Sequence, residues 1–174
     1  LVFTLPHALN GLAQFHARWV YRTLMQCAAA TLTEFATNPR WLGATPAFTL
    51  VLHTWTQDLR HHVHVHALMA CGGLDEGSHW CAPKRSPNFL FPVHALSKVY
   101  RGKFLDALRQ ATKAGELPRD PACAEAARRQ RLKQLLRHGW VVYAKTPLAG
   151  PQVVLDYLSR YTHRVAVSNE RIVG

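Results

Sequence analysis

Histidine and valine alternate at positions 62–66, and this pattern constrains the fold more than any other part of the 174-residue sequence. Successive side chains of a β-strand point to opposite faces of a sheet. The pattern therefore predicts a strand that directs His62, His64 and His66 to one face and Val63 and Val65 into a core.

Three histidines on one face of a strand form a cluster able to bind a divalent metal, because neutral imidazole is a common metal ligand. The alternative is a solvated polar face. Two imidazoles hold a hard metal weakly, so a third ligand is expected. His53 at the end of the preceding predicted strand is the first candidate, and His62 and Gln57 are alternatives. A zinc-protease motif on a helix is absent, and the four cysteines are too scattered for a closed zinc site.

Two tyrosines, Tyr157 and Tyr161, stand four residues apart on a predicted helix. Residues at this spacing lie on one helical face, so both phenols are expected to point in the same direction. Such a pair usually packs against a core, but here polar and basic residues surround it. Arg160 and Arg164 are candidates to contact phosphates, since guanidinium binds phosphate in a bidentate manner.

The remaining pattern predicts an α+β domain with an antiparallel central sheet and flanking helices. The Gly72-Gly73 pair is expected to end the histidine strand. Predicted strands cover residues 1–5, 47–54, 62–70, 79–82, 140–144 and 165–168. Predicted helices cover residues 11–37 (one long or two broken helices), 93–114, 122–137 and 152–161.

The sequence carries 21 basic and 10 acidic residues, a formal net charge of +11, which favours a polyanionic partner such as nucleic acid. The alternative is a basic protein whose charge serves only solubility. Lys98, Arg101 and Lys103 on one predicted helix are candidate DNA contacts. Further basic candidates are Arg109, Arg128, Arg129, Arg131, Lys133 and Arg137. The tryptophans Trp55, Trp80 and Trp140 are either base-stacking or core residues.

No membrane span or signal peptide is recognised, and the cysteine usage fits a reducing compartment. The sequence begins on Leu1 and ends on a strand-like segment, so residues 1–174 are expected to be one domain truncated at both ends.

With these motifs together, the chain resembles the two-tyrosine HUH transposases of rolling-circle insertion sequences, the insertion-sequence-91 family and its common-region relatives. The resemblance covers most of the chain and is most specific in the histidine strand and the tyrosine helix. The matching segments are residues 2–7, 51–55, 62–66, 72–74 and 157–169. Two departures are visible: Val63 stands where the family often has proline, and the family's N-terminal cysteine-rich zinc-binding region has no counterpart in this sequence.

The resemblance implies an HUH endonuclease-like fold, with His64 and His66 as metal ligands for Mg²⁺ or Mn²⁺ and with Tyr157 and Tyr161 as nucleophiles. It implies cleavage of single-stranded DNA at element ends and target through a 5′-phosphotyrosine, in rolling-circle transposition, by a cytoplasmic, nucleoid-associated bacterial protein. The alternatives are an HUH replication initiator or relaxase, and a decayed remnant that binds DNA without cutting it.

Overall fold

A computed structural model describes residues 1–56, 60–85, 90–117, 130, 133–137, 139–148 and 150–162, with the backbone alone at 151, 158 and 160–162. Five strands and four helices have defined bounds in this part of the chain. In order, they are β1 (Val2–Thr4), α1 (Asn10–Phe15), α2 (Ala17–Thr37), β2 (Thr45–Trp55), β3 (His61–Leu74), β4 (Trp80–Cys81), α3 (Val93–Ala114), β5 (Val142–Tyr143) and α4 (Pro151–Thr162). A short 3-10 turn, His7–Leu9, precedes α1.

The strands form one antiparallel sheet in the order β2-β3-β1-β5, and β4 pairs with the end of β3. The histidine strand β3 is central, with β1 on one side and β2 on the other. Its His64 lies opposite Thr4 of β1 and opposite His53 of β2. The sheet with its flanking helices confirms the predicted α+β class.

One face of the sheet packs on helices α2 and α3 to form the core. Val63 and Val65 are fully buried, together with Phe3 of β1, which lies opposite Val65. From α3, Tyr100 packs edge-on against the Phe3 ring at a centroid distance of 5.1 Å. The valines of the alternating segment therefore face the helices, and the histidines face the opposite side of the sheet, as the alternation predicted.

The glycine pair Gly72-Gly73 does not end β3, contrary to prediction, because the strand continues to Leu74. The two glycines lie where neighbouring chain segments approach closely. A Cβ at Gly72 would lie 2.2 Å from Cζ2 of Trp80, and a Cβ at Gly73 would lie 2.5 Å from the carbonyl oxygen of Thr45. Glycine is thus needed to let β2 and β4 pack against β3.

The helix predicted over residues 11–37 is broken into α1 and α2 at His16. The strand predicted over 140–144 is shorter, and Trp140 lies buried in the core, where its indole N–H donates to the Leu135 carbonyl oxygen at 3.2 Å. Trp140 is therefore a core residue. Of the predicted helix 122–137, residues 130 and 133–137 are helical. The predicted strand 165–168 lies outside the described residues. No helix in the described ranges is long and apolar enough to cross a membrane.

Candidate metal and nucleophile site

The imidazoles of His53, His64 and His66 converge on the sheet face opposite the core. Cross-strand partners in an antiparallel pair project to the same face, and His53 is the partner of His64. His66 lies two residues further along the same face of β3. One ring nitrogen from each histidine lies within 4.8 Å of the others, in a cluster able to hold a metal ion.

The hydrogen bonds of His64 orient its ring. Its Nδ1 lies 2.9 Å from the carbonyl oxygen of His62, and since a carbonyl only accepts, Nδ1–H is the donor. In neutral His64 this leaves the Nε2 lone pair available, and this atom lies 3.1 Å from Nε2 of His66. When two imidazole nitrogens each bind the same ion at about 2.1 Å and the N–metal–N angle is a right angle, the two nitrogens lie roughly 3 Å apart. The His64–His66 pair therefore has the spacing of two ligands of one metal.

The electrostatic surroundings keep these imidazoles neutral. Burial, followed by the charges of His64 and His53, lowers the pKa of His66 to about 3. Burial also lowers the pKa of His64, against the opposing effect of its bond to the His62 carbonyl. Neutral imidazole is the form that binds a metal, so no proton has to be displaced from either ring near neutral pH.

Helix α4 brings Tyr157 to this cluster. Its hydroxyl oxygen lies 3.3 Å from Nδ1 of His66, across 91 residues of sequence. The half-buried Tyr157 ring also lines a cavity of about 390 Å³ with Leu68 of β3 and Val154 of α4. Tyr161 and Arg160 belong to the same helix, but only their backbone is described. Arg164 and Gln57 lie outside the described residues.

His62 is not one of the three histidines whose ring nitrogens converge, although its ring is next to that of His64. A register shift in the β2–β3 pairing, between His53 and Trp55, sets two residues of β3 against one of β2 at this point. The His62 ring lies 5.1 Å from that of His64 and 5.2 Å from that of His7 in the 3-10 turn. His7 was not singled out as a site residue from sequence, whereas Trp55 was expected to be either a base-stacking or a core residue. The Trp55 ring is stacked on His53 at 5.6 Å, which packs one wall of the cluster.

The basic residues predicted to bind DNA on α3 are not brought to the histidines, because α3 packs on the other face of the sheet. Lys103 forms an ion pair of 2.6 Å with Glu34 of α2. Lys98 is exposed, whereas Arg101 is partly buried. Their contact with DNA stays a prediction.

Comparison with known proteins identifies similar sequences. The family described as "Putative transposase" (Y2_Tnp) matches residues 47–174. "Putative transposase y4qJ" of Sinorhizobium fredii is 44% identical over 178 residues, covering 99% of this chain and 44% of that protein. "Transposase for insertion sequence element IS801" of Pseudomonas savastanoi pv. phaseolicola is 28% identical, covering 99% of this chain and 40% of that protein. The chain thus spans less than half the length of these relatives.

Among solved structures, the chain is similar to the conjugative relaxase TrwC in complex with oriT DNA. The metal-free complex matches with a TM-score of 0.47 and 14% identity, covering 82% of this chain and 66% of that chain. The metal-bound complex matches with the same TM-score and identity, covering 94% of this chain and 70% of that chain.

Proposed function

The chain belongs to the transposase family described as "Putative transposase" (Y2_Tnp), and from this membership we propose that it cleaves and transfers single-stranded DNA through a covalent phosphotyrosine, with a divalent metal ion. The observation that carries the proposal is the 3.3 Å contact between the Tyr157 hydroxyl and His66 Nδ1. This contact sets a candidate nucleophile directly beside candidate metal ligands.

The residues present fit a divalent ion. The cluster of His53, His64 and His66 offers three ring nitrogens on a half-enclosed surface, two of them at a spacing suited to one ion. Mg²⁺ or Mn²⁺ held there would polarise the scissile phosphate and offset negative charge on the transferred group. An imidazole set binds Mn²⁺ more tightly than Mg²⁺, which prefers oxygen ligands.

Tyr157 is the proposed first nucleophile. Its oxygen forms a bond to phosphorus as the bond from phosphorus to the 3′ oxygen breaks, which leaves a 5′-phosphotyrosine and a strand with a free 3′-hydroxyl. The phenol loses one proton and the departing 3′ oxygen gains one, so the reaction is balanced. The phosphodiester is exchanged for another ester, so no ATP is required. His66 orients the phenol through the 3.3 Å contact.

Tyr161 is the proposed second nucleophile. It follows Tyr157 by one turn of α4, a spacing that sets the two residues on one face of the helix. Two nucleophiles allow the protein to keep one strand bound covalently while it cuts another. The free 3′-hydroxyl can then attack the phosphotyrosine and release the enzyme in the reverse of the first step.

Single-stranded DNA at the element ends and target is the proposed substrate, in keeping with the net charge of +11. Arg160 and Arg164 on either side of Tyr161 are proposed to neutralise phosphates next to the cut. Lys98, Arg101 and Lys103 are proposed to contact DNA further away. Rolling-circle transposition by the whole protein is likewise a proposal, and in it the 3′-hydroxyl released by the first cut primes replication.

The test is capture of the covalent intermediate. The chain is incubated with single-stranded oligonucleotides, including a randomised library, and Mn²⁺. The label is at the 3′ end, because a 5′-phosphotyrosine retains the 3′ side of the cut strand. We expect label to stay on the protein in a denaturing gel, to require the metal, and to be lost in the Tyr157→Phe/Tyr161→Phe double variant.

If folded protein binds the oligonucleotides but forms no adduct, the proposed cleavage activity is contradicted. The chain would then be a DNA-binding protein. An adduct that persists in the double variant would assign the chemistry to another nucleophile.

A further inference from the structure

The break between α1 and α2 forms a notch on the surface of the protein. Phe15 ends α1 and Ala17 begins α2, with His16 between them at φ −130° and ψ 44°. The notch has a volume of about 450 Å³, and it is lined by Phe15, His16, Ala17, Arg18, Trp19 and Arg22. None of these residues takes part in the proposed metal and nucleophile site.

Phe15 is the most exposed large apolar side chain in the part of the chain that the structure describes, with 84% of its surface accessible. Trp19 beside it is fixed, because its ring packs edge-on against Phe104 of the core at 5.9 Å. The notch thus combines one aromatic ring free in solvent with a second held rigidly. Phe15 and Trp19 together form an apolar patch bordered by arginines, and an exposed apolar patch with a polar rim is typical of a binding surface.

The charge around this aromatic pair is positive. Arg18 and Arg22 are both exposed and lie four residues apart on one face of α2. Neither forms an ion pair with any residue that the structure describes. The sequence contains no Asp or Glu before Glu34, and the Glu34 carboxylate is bound to Lys103.

We propose that this notch binds single-stranded DNA, with a base stacked on Phe15 and the backbone phosphates on Arg18 and Arg22. A single strand offers base faces for stacking next to closely spaced phosphates, and both of these groups have a partner here. A duplex hides its base faces in the stack and would use the arginines alone. A purely apolar protein segment would leave two cations without partners.

The inference rests on the proposed cleavage of single-stranded DNA, and the notch lies near the histidine site along the chain. The 3-10 turn and α1 join the two places: His7 contacts His62, which contacts His64, and α1 then runs to Phe15. Eight residues of helical chain span on the order of 15 Å, or about four nucleotides of a stacked strand.

Binding is tested separately from cleavage, in the Tyr157→Phe/Tyr161→Phe background with EDTA, by fluorescence anisotropy of labelled dT20. We expect Phe15→Ala to weaken binding about tenfold, Phe15→Leu to weaken it similarly, and Phe15→Trp to restore it. Tyr143→Leu is the matched control, since Tyr143 is an aromatic on β5 that is 59% exposed and has no proposed contact with DNA. We expect Arg18→Gln and Arg22→Gln each to lower the slope of log affinity against log salt by about 0.7.

Phe15→Leu binding dT20 as tightly as the parent would overturn base stacking and indicate an apolar contact with protein instead. Unchanged salt slopes in both arginine variants would overturn the phosphate contacts. Failure of the parent to bind dT20 would overturn the proposal that the notch binds single-stranded DNA. If Phe15-dependent binding is found and no tyrosine adduct forms in the cleavage assay, the surface stands and the cleavage proposal fails.

Discussion

His66 Nδ1 lies 3.3 Å from the hydroxyl oxygen of Tyr157, so a central strand and the last described helix meet at one hydrogen bond. The contacts on either side extend it into a chain: His66 Nε2 lies 3.1 Å from His64 Nε2, and His64 Nδ1 donates to the His62 carbonyl. In the metal-free protein these contacts fit one arrangement of protons. The Tyr157 hydroxyl donates to Nδ1 of His66, and Nε2–H of His66 donates to Nε2 of His64. If His64 and His66 held a metal through their Nε2 atoms, neutral His66 would carry its proton on Nδ1 and would donate it to the tyrosine oxygen.

Replacement of Tyr157 by phenylalanine removes this bond and the proposed nucleophile together. We expect the covalent DNA adduct to fall to the level that Tyr161 alone can support. We expect the unfolding free energy to fall by only about 1 kcal/mol, since one partly buried hydrogen bond is lost and the ring packing is kept. Gel analysis of the adduct and urea denaturation provide the two measurements.

Tyr143→Phe is the matched control, because Tyr143 is an exposed tyrosine on β5. It should leave the adduct yield at the parental level. If Tyr157→Phe also keeps that yield, Tyr157 is not the first nucleophile.

The three-histidine cluster is expected to bind Mn²⁺ and to stabilise the fold when it does so. A ligand at 100 times its dissociation constant adds about 2.7 kcal/mol, which raises the melting temperature of a chain of this size by roughly 5–10 °C. Alanine at His53, His64 or His66 should each abolish most of this shift. Differential scanning fluorimetry against a Mn²⁺ series provides the measurement.

His62→Ala is the control, because the His62 ring lies beside His7 and is outside the three-histidine cluster. It distinguishes metal binding at the cluster from a general effect of histidine content. It should retain most of the metal-induced shift. A loss as large as that in His64→Ala would make His62 a ligand and contradict the three-residue assignment from geometry.

Periodicity predicted most helices and strands, and α3 was predicted with its observed bounds, because its apolar residues repeat at helical spacing. His53 was also expected near His64, because it stands at the end of the preceding predicted strand, and the two residues are cross-strand partners. The register shift beside His62 could not be predicted, because it leaves no mark in the alternation of histidine and valine. The contact between His7 and His62 depends on how a turn packs on the sheet, and sequence spacing does not encode that packing.

Replacement of glycine by alanine should change the unfolding free energy in opposite directions in β3 and in α3. Gly72→Ala sets a methyl against the Trp80 ring and should lower the unfolding free energy by about 1–3 kcal/mol. Gly102 lies inside α3, and a methyl group there would have no neighbouring atom within 4 Å, so Gly102→Ala should raise the unfolding free energy by about 1 kcal/mol through helix propensity. Urea denaturation of both variants decides the matter, and a neutral Gly72→Ala would contradict the close strand packing.

The metal-free protein should lose stability on acidification because of His66, whose pKa is lowered to about 3 by burial and by neighbouring histidine charges. The unfolded chain binds a proton near pH 6.5 that folded His66 does not bind until about pH 3, so the free energy of unfolding falls as pH falls through this window. For one proton the slope is at most about 1.4 kcal/mol per pH unit, and solvent screening reduces it. Urea denaturation in EDTA between about pH 7 and pH 5 should show a shallower loss for His66→Gln than for the parent. His94→Gln, exposed on α3, is the surface control, and equal slopes for the parent and His66→Gln would contradict a neutral, buried His66.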